Sequence, residues 1–335
     1  MAARAPPLLS LAPTELAAQR TMLKKAKKKK KRRDRSTPAL EATAEDGRIA
    51  LHAPFQGYEA SCVGRESGVR IMVTNVPPKH IYDTAAVSRP PVRREDVDGV
   101  SGAYLLHNVL SARECDRLVK LVNMMGFEHA RITTGGGMVI DRSIRSNARL
   151  ILQTPMMQRL RTPSVSGAAA DDDNDFLEAM YARIEHMLPG ECIARAVVPR
   201  ASDRGAMDQA WTPVGLNERL RFYRYEGGER FNRHYDGCFP RDDRTEMSIY
   251  TFIVYLSDEF VGGETTFFVA AGRGKQSEVA VMPTCGSALI FPHGSHPLSP
   301  LHEGSVVTEG LKYVLRSDIM CRRSEDVAAA AAARR

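Results

Sequence analysis

The sequence predicts an α+β domain, an antiparallel sandwich or jelly roll with two preceding helices that would cover one sheet. Two observations carry this. From Leu216 onward, seven short segments rich in β-branched and aromatic residues follow one another: RLRFYRY, ERFNRHYD, SIYTFIVYL, ETTFFVA, SEVAVM, GSALIF and LKYVLRSDIM. Glycine or proline falls between most of them, the punctuation of an all-β sandwich or roll. Upstream, two stretches carry apolar residues at helical spacing, and helices ahead of such a strand series argue for α+β. The chain has 335 residues and 43% hydrophobic content, enough for one large domain plus extensions or two small domains.

Taken in order, residues 1–48 read as a disordered tail with low hydrophobicity and a block, KKAKKKKKRRDR, at 24–35. That block outweighs the whole net charge of +7, so the rest of the chain is slightly acidic. It has two functional readings, contact with nucleic acid or with an import receptor, beside the plain reading of a solvated tail. Residues 49–100 are Pro-rich and read as irregular, with one strand candidate at 69–73. AYLLHNV, from Ala103, reads as a strand. Ser111 and Glu114 then form a capping box, and Leu118, Val119, Leu121, Val122 and Met125 mark a helix that Gly126 closes. SNARLILQ reads as another strand, and 162–175 (TPSVSGAAADDDND) as a polar, mobile insertion. Phe176, Leu177, Met180, Ile184, Met187 and Leu188 mark the second helix, ended by Pro189-Gly190. Residues 191–215 read as a loop. The proposed domain covers 101–323, its jelly-roll core 216–321, and residues 324–335 form a low-complexity tail.

No stretch approaches the roughly 20 apolar residues of a membrane span. The six cysteines are scattered with no C-x-x-C pair, which favours free thiols over disulfides and gives a cysteine-based zinc site no support. The expected compartment is cytoplasm or nucleus, with a mitochondrial presequence left open by the Arg/Lys-rich start.

The chemistry sits in RYEGGERFNRHYDG. His234 and Asp236 are two apart on an expected strand and share a face, while Phe231, Arg233 and Tyr235 alternate away. An imidazole and a carboxylate side by side suit Fe(II). A third ligand from a distant strand would complete a two-histidine, one-carboxylate triad with open positions. His293, His296 and His302 compete for that place. We choose His302 because Lys312 follows ten residues later on the final strand. A buried ammonium near the metal needs an anion, and the far carboxylate of 2-oxoglutarate would supply it. His293 and His296 read as surface or substrate-loop residues. Arg316, four beyond Lys312, shares its face and could reach cosubstrate or substrate. Arg145 and Asn147 could touch substrate. Gly262 and Gly263 read as turn formers.

The segment from about Ala103 to Met320 resembles the prolyl 4-hydroxylase-like branch of the Fe(II)/2-oxoglutarate dioxygenases. Tyr225, Gly228, Phe231, His234 and Asp236 fall in that family's Tyr-x-x-Gly-x-x-Phe/Tyr-x-x-His-x-Asp pattern. YLSDEFVGGETTF resembles its Tyr-Leu-Asn…Gly-Gly-Glu-Thr-x-Phe run, with Ser257 in place of Asn. The resemblance implies a double-stranded β-helix with N-terminal helices packed on one sheet. It implies iron on His234, Asp236 and His302, the cosubstrate on Lys312, and Tyr225 and Tyr255 lining the cosubstrate pocket. Cofactors would be Fe(II), 2-oxoglutarate and O2, with ascorbate as reductant. The activity would be hydroxylation of an unactivated C–H bond, of a prolyl residue in a protein, with release of succinate and CO2. The same chemistry on a nucleobase or small molecule, or a non-catalytic binding module, are the competing readings.

Overall fold

The computed structural model describes residues 48–66, 68–76, 78–83, 90–134, 137–153, 176–196, 208–272 and 275–333. The basic block at 24–35 and the insertion at 162–175 lie outside them. The chain before the strand series contributes β1 (Arg48–Ala50), β2 (Glu59–Glu66), β3 (Val69–Thr74), β4 (Arg93–Asp96) and β5 (Tyr104–His107). Helix α1 (Ala112–Met125) follows, then β6 (Glu128–His129), the small hairpin β7 (Ile132–Thr134) and β8 (Gly137–Val139), β9 (Ala148–Gln153), α2 (Phe176–Ile184), β10 (Cys192–Arg195) and β11 (Asp208–Leu216). The strand series itself is β12 (Arg219–Tyr225), β13 (Phe231–His234), β14 (Glu246–Tyr255), β15 (Phe260–Gly262), β16 (Thr265–Ala270), β17 (Gln276–Val281), β18 (Ala288–Pro292), β19 (Leu301–Gly304), β20 (Val307–Gly310) and β21 (Lys312–Arg323). Helix α3 (Ser324–Ala333) ends the described chain.

The structure is mostly β with few helices. Its centre is two antiparallel layers. One carries the order β12-β21-β14-β18 within the large sheet, and the other the order β13-β19-β16-β17. The chain crosses between the two layers repeatedly, with β16 and β17 a hairpin in one of them and β15 and β20 a separate pair, an arrangement compatible with a jelly roll. The large sheet extends outward through β5 and β4 on one side and through β9, β3, β2 and β1 on the other.

Two expectations are corrected here. Residues 49–100 are not irregular, because β2 and β3 form a hairpin whose second strand runs parallel to β9 at Ile71–Ile151. The strand expected at 69–73 is present, but proline content hid its partner. Residues 191–215 are not simply a loop. β10 and β11 pair, and β11 continues onto β21 across a bulge at Pro213 to Gly215, the position where a proline can sit in a ladder. The compositional tail at 324–335 is helical over Ser324–Ala333, as its alanine run permits.

Alternation sorts the side chains of β12 between two cores. Leu220 and Phe222 join a cluster with Phe252, Leu315 and Ile319, together with Leu118, Leu121, Val122 and Met125 of α1 and Met180 and Ile184 of α2. Tyr223 and Tyr225 join the other cluster, with Tyr255, Phe267, Phe291 and Val314 between the layers. The capping box forms as the sequence predicts. Ser111 accepts from the Glu114 amide at 3.1 Å, and Glu114 accepts from the Ser111 amide at 2.7 Å. Glu114 also receives Arg183 of α2 at 2.8 Å, which ties the two helices together. Substituting Ser111→Ala is expected to cost about 1 kcal/mol, read as a small fall in Tm with the site unaffected.

Candidate metal centre

β13 and β19 are antiparallel neighbours in register His234↔His302, which places the two imidazoles side by side with ring centroids 4.3 Å apart. Asp236 comes from the irregular segment after β13 rather than from the strand itself. Its Oδ1 lies 3.6 Å from His234 Nε2 and its Oδ2 3.6 Å from His302 Nε2. One donor atom from each residue lies within 4.8 Å of the others, so the three could hold a metal ion. His234 Nδ1 sits 2.7 Å from the Asn232 carbonyl, and His302 Nδ1 3.2 Å from the Pro300 carbonyl. A proton held there leaves each Nε2 lone pair free for a metal. Burial pushes His302 down to about 4, against the opposing pull of Asp236, so the ring is neutral at neutral pH.

Phe231 was expected to point away from these ligands, yet its ring stacks on His234 at 3.6 Å. The register of β13 slips between Phe231 and His234, and such an irregularity breaks the period-two rule.

Asp236 is 5% exposed and heavily partnered. Burial alone would raise its carboxyl, but the Arg316 guanidinium, then His302 and His234, hold it well below the usual carboxylate range. Arg316 Nη1 donates to Asp236 Oδ1 at 2.7 Å, and its Nη2 reaches Asp318 at 3.3 Å. On the other side runs a chain of donors. Ser248 bonds His293 Nε2 at 2.9 Å, His293 Nδ1 bonds the Thr251 hydroxyl at 2.8 Å, and Thr251 donates to Asp236 Oδ2 at 2.7 Å. His293 is thus no surface or substrate-loop residue. It is 1% exposed and sits behind the carboxylate. The apolar run LIF before it was the available signal of burial. His296 is farther out, its ring 5.9 Å from that of Tyr250.

Lys312 opens β21 opposite Tyr225 of β12. Its Nζ donates to the Gly263 carbonyl at 2.6 Å and lies 5.2 Å and 5.7 Å from the ring centroids of Tyr225 and Tyr255. No carboxylate among the described residues pairs with it. Burial pulls its ammonium down to about 8, partly offset by Glu264. Gly263 has φ +71°, and a Cβ there would stand 2.9 Å from Val307 and 3.2 Å from the Lys312 chain. The glycine pair therefore makes the turn that presents a carbonyl to Lys312. Tyr255 bonds Thr265 at 2.8 Å, and burial raises both Tyr225 and Tyr255.

His234, Asp236, His302, Lys312, Tyr225, Tyr255 and Arg316 all line one cavity. It also holds Tyr223 and Thr265, which sequence reading passed over. The alternation in RLRFYRY could have shown Tyr223, since it shares a face with Tyr225. Arg145 and Asn147 are buried nearby rather than lining the cavity.

Two strand layers thus bring two histidines, one carboxylate and a buried lysine to one cavity. Residues 220–317 match the family model of the 2OG-Fe(II) oxygenase superfamily. Among curated proteins, probable prolyl 4-hydroxylase 11 of Arabidopsis thaliana is 40% identical over 94 residues, covering 27% of this chain and 32% of that protein. Probable prolyl 4-hydroxylase 8 of the same plant is 24% identical over 230 residues, covering 63% and 66%. The chain spans between about one third and just under two thirds of these relatives' length. A solved Pseudomonas putida prolyl-4-hydroxylase is 17% identical, covering 66% of this chain and 93% of that one, with a TM-score of 0.35. An overlay that loose carries no argument. The sequence matches bear out the resemblance to the prolyl 4-hydroxylase-like Fe(II)/2-oxoglutarate dioxygenases. No helix of the described residues is long and apolar enough to cross a membrane.

Proposed function

We propose that this protein hydroxylates a prolyl residue of a protein, using Fe(II), 2-oxoglutarate and O2 and releasing succinate and CO2. One observation supports this above the others: three ligand-competent side chains and a buried ammonium with no carboxylate partner among the described residues line one cavity. His234, Asp236 and His302 would hold the iron, which supplies the oxidising chemistry when bound. Lys312 would receive the distal carboxylate of 2-oxoglutarate, with Tyr225 and Tyr255 walling that end. Arg316 and Thr251 fix Asp236 from two sides, so the carboxylate needs little reorganisation to accept a metal. Ascorbate would serve as reductant.

In this reading the oxygenase domain spans 101–323 around a core at 216–321, with α1 and α2 buttressing one sheet. The strands within 49–100 extend that sheet, and the tails at 1–48 and 324–335 lie outside the catalytic unit. The compartment would be cytoplasm or nucleus, with mitochondrial targeting left open. Contact with nucleic acid or an import receptor would fall to the block at 24–35.

The test is succinate release against proline-containing peptides, with mass spectrometry for a product heavier by one oxygen. Oxidation confined to nucleosides or metabolites would overturn the protein substrate. No succinate with any of them would favour a binding module. A milder prediction concerns the support behind the ligand: Thr251→Val is expected to weaken Fe(II) binding about 10–100-fold, read by anaerobic titration calorimetry.

A further inference from the structure

The strand β9 brings a charge into the protein interior that the chemistry above does not use. Arg149 is buried, 8% exposed, in a strand whose other residues up to Leu152 are apolar. It pairs across the ladder with Tyr223, which itself pairs with Val314 of β21. Arg149 therefore belongs to the row of the large sheet adjoining the Lys312 and Arg316 rows. Its Cα stands two strand spacings, about 10 Å, from β21. Arg145, 6% exposed, makes a bridge to Phe231 of the second layer. Its guanidinium lies 4.6 Å from the ring centroid of Tyr223 and 4.2 Å from that of Phe231, both cavity residues. Arg145 thus spans the two layers at the cavity edge.

The charges here do not balance. Arg221 and Arg316 share Asp318, and Arg316 also holds Asp236. Among the described residues no carboxylate pairs with Arg145 or Arg149. Arg145 Nε donates to Asn147 at 2.7 Å, while Arg145 Nη2 and Arg149 Nε and Nη2 are buried with no partner among the described residues. Glu66, which acts on Arg149 at longer range, is bonded to Arg219. The Tyr223 hydroxyl records the same field. Burial would raise it, but Arg145, Arg316, Arg221 and Arg149 together bring it down to about 8. A buried guanidinium without an anion is costly, and unpartnered buried donors call for an explanation.

We propose that Arg149, with Arg145 stacked on the neighbouring Tyr223, binds a carboxylate of the peptide substrate, so that the enzyme selects prolines in acidic sequence. This deepens the hydroxylase reading and rests on it. The donor fork suits a planar carboxylate. Both guanidinium groups are buried, which suits one compact anion rather than a polyphosphate chain crossing an exposed surface.

The test uses the full chain with Fe(II) and 2-oxoglutarate under anaerobic conditions. Fluorescent proline peptides carry Glu, or Gln as control, at each flanking position, and binding is read by anisotropy. At one position Glu should bind at least tenfold tighter than Gln, the gap should shrink with salt, and Arg149→Met should abolish it. Arg149→Lys should retain part of it. The wild-type comparison stands even if Arg149→Met does not fold. Equal binding of Glu and Gln peptides at every position overturns the proposal, as does a Glu preference that Arg149→Met leaves intact. A loss of 2-oxoglutarate affinity in Arg149→Met with peptide preference unchanged would also overturn it, giving the arginine to the cosubstrate. The visible band of the iron–2-oxoglutarate complex is recorded on the same samples. A band without Glu preference sinks this inference alone, whereas no band sinks the reading beneath it.

Discussion

Replacing Lys312 by Met is expected to weaken 2-oxoglutarate binding by roughly two to three and a half orders of magnitude. Removing one partner of a buried charge pair costs about 3–5 kcal/mol, and about 1.4 kcal/mol is a factor of ten. The pH dependence has a defined sign. Burial brings the native ammonium down to about 8, against roughly 10.4 in an unfolded chain. Cosubstrate affinity should therefore be full below pH 8 and fall as pH rises through it, by up to tenfold per unit. Stability without cosubstrate moves the other way. Between about 8 and 10.4 the unfolded chain holds a proton that the native state has lost, so stability rises with pH across that window. Both trends should vanish in Lys312→Met, as read by calorimetric titration and thermal melts. A flat affinity from pH 7 to 9.5 in the wild type would contradict the anchor role.

The second large effect belongs to Arg316. It pairs with Asp236 at 2.7 Å and Asp318 at 3.3 Å, and both carboxylates are almost fully buried. Arg316→Met leaves Asp318 to Arg221 and Asp236 without a cation. The expected cost is about 3–5 kcal/mol, a fall in Tm on the order of 10 °C for a domain of this size. A bound divalent ion would neutralise Asp236 in its place. The deficit should therefore be smaller with saturating metal than without it, and an equal deficit in both conditions would argue against Asp236 as a ligand.

The parts of this molecule legible in its sequence are those where local pattern and tertiary role agree. The Ser111–Glu114 capping box, the glycine closing α1 and the strand series after Leu216 carry their own signals, and all are present. The hairpin of β2 and β3 was hidden by the prolines around it, and the pairing of β10 with β11 by Pro213 and Gly215 at a bulge inside β11, which read as loop. The site divides in the same way. His234, Asp236, His302 and Lys312 follow a spacing that backbone register turns into proximity. Phe231 was misplaced because a strand irregularity breaks alternation. His293 was misplaced because a turn follows it directly, while Ser248 and Thr251, which bury it, lie on β14. Arg149 was invisible because its partner strand, not its own, brings it beside the cavity.

The claim at the centre is that His234, Asp236, His302 and Lys312 form one iron and 2-oxoglutarate site. Anaerobic titration of the full chain with Fe(II) and then 2-oxoglutarate tests it most directly, through the weak visible metal-to-ligand charge-transfer band of that complex. The expected result is a saturable band in the wild type that persists in His296→Ala and is lost in His302→Ala. Folded wild-type protein that gives no band, or a band that survives in His302→Ala and disappears in His296→Ala, would contradict the account.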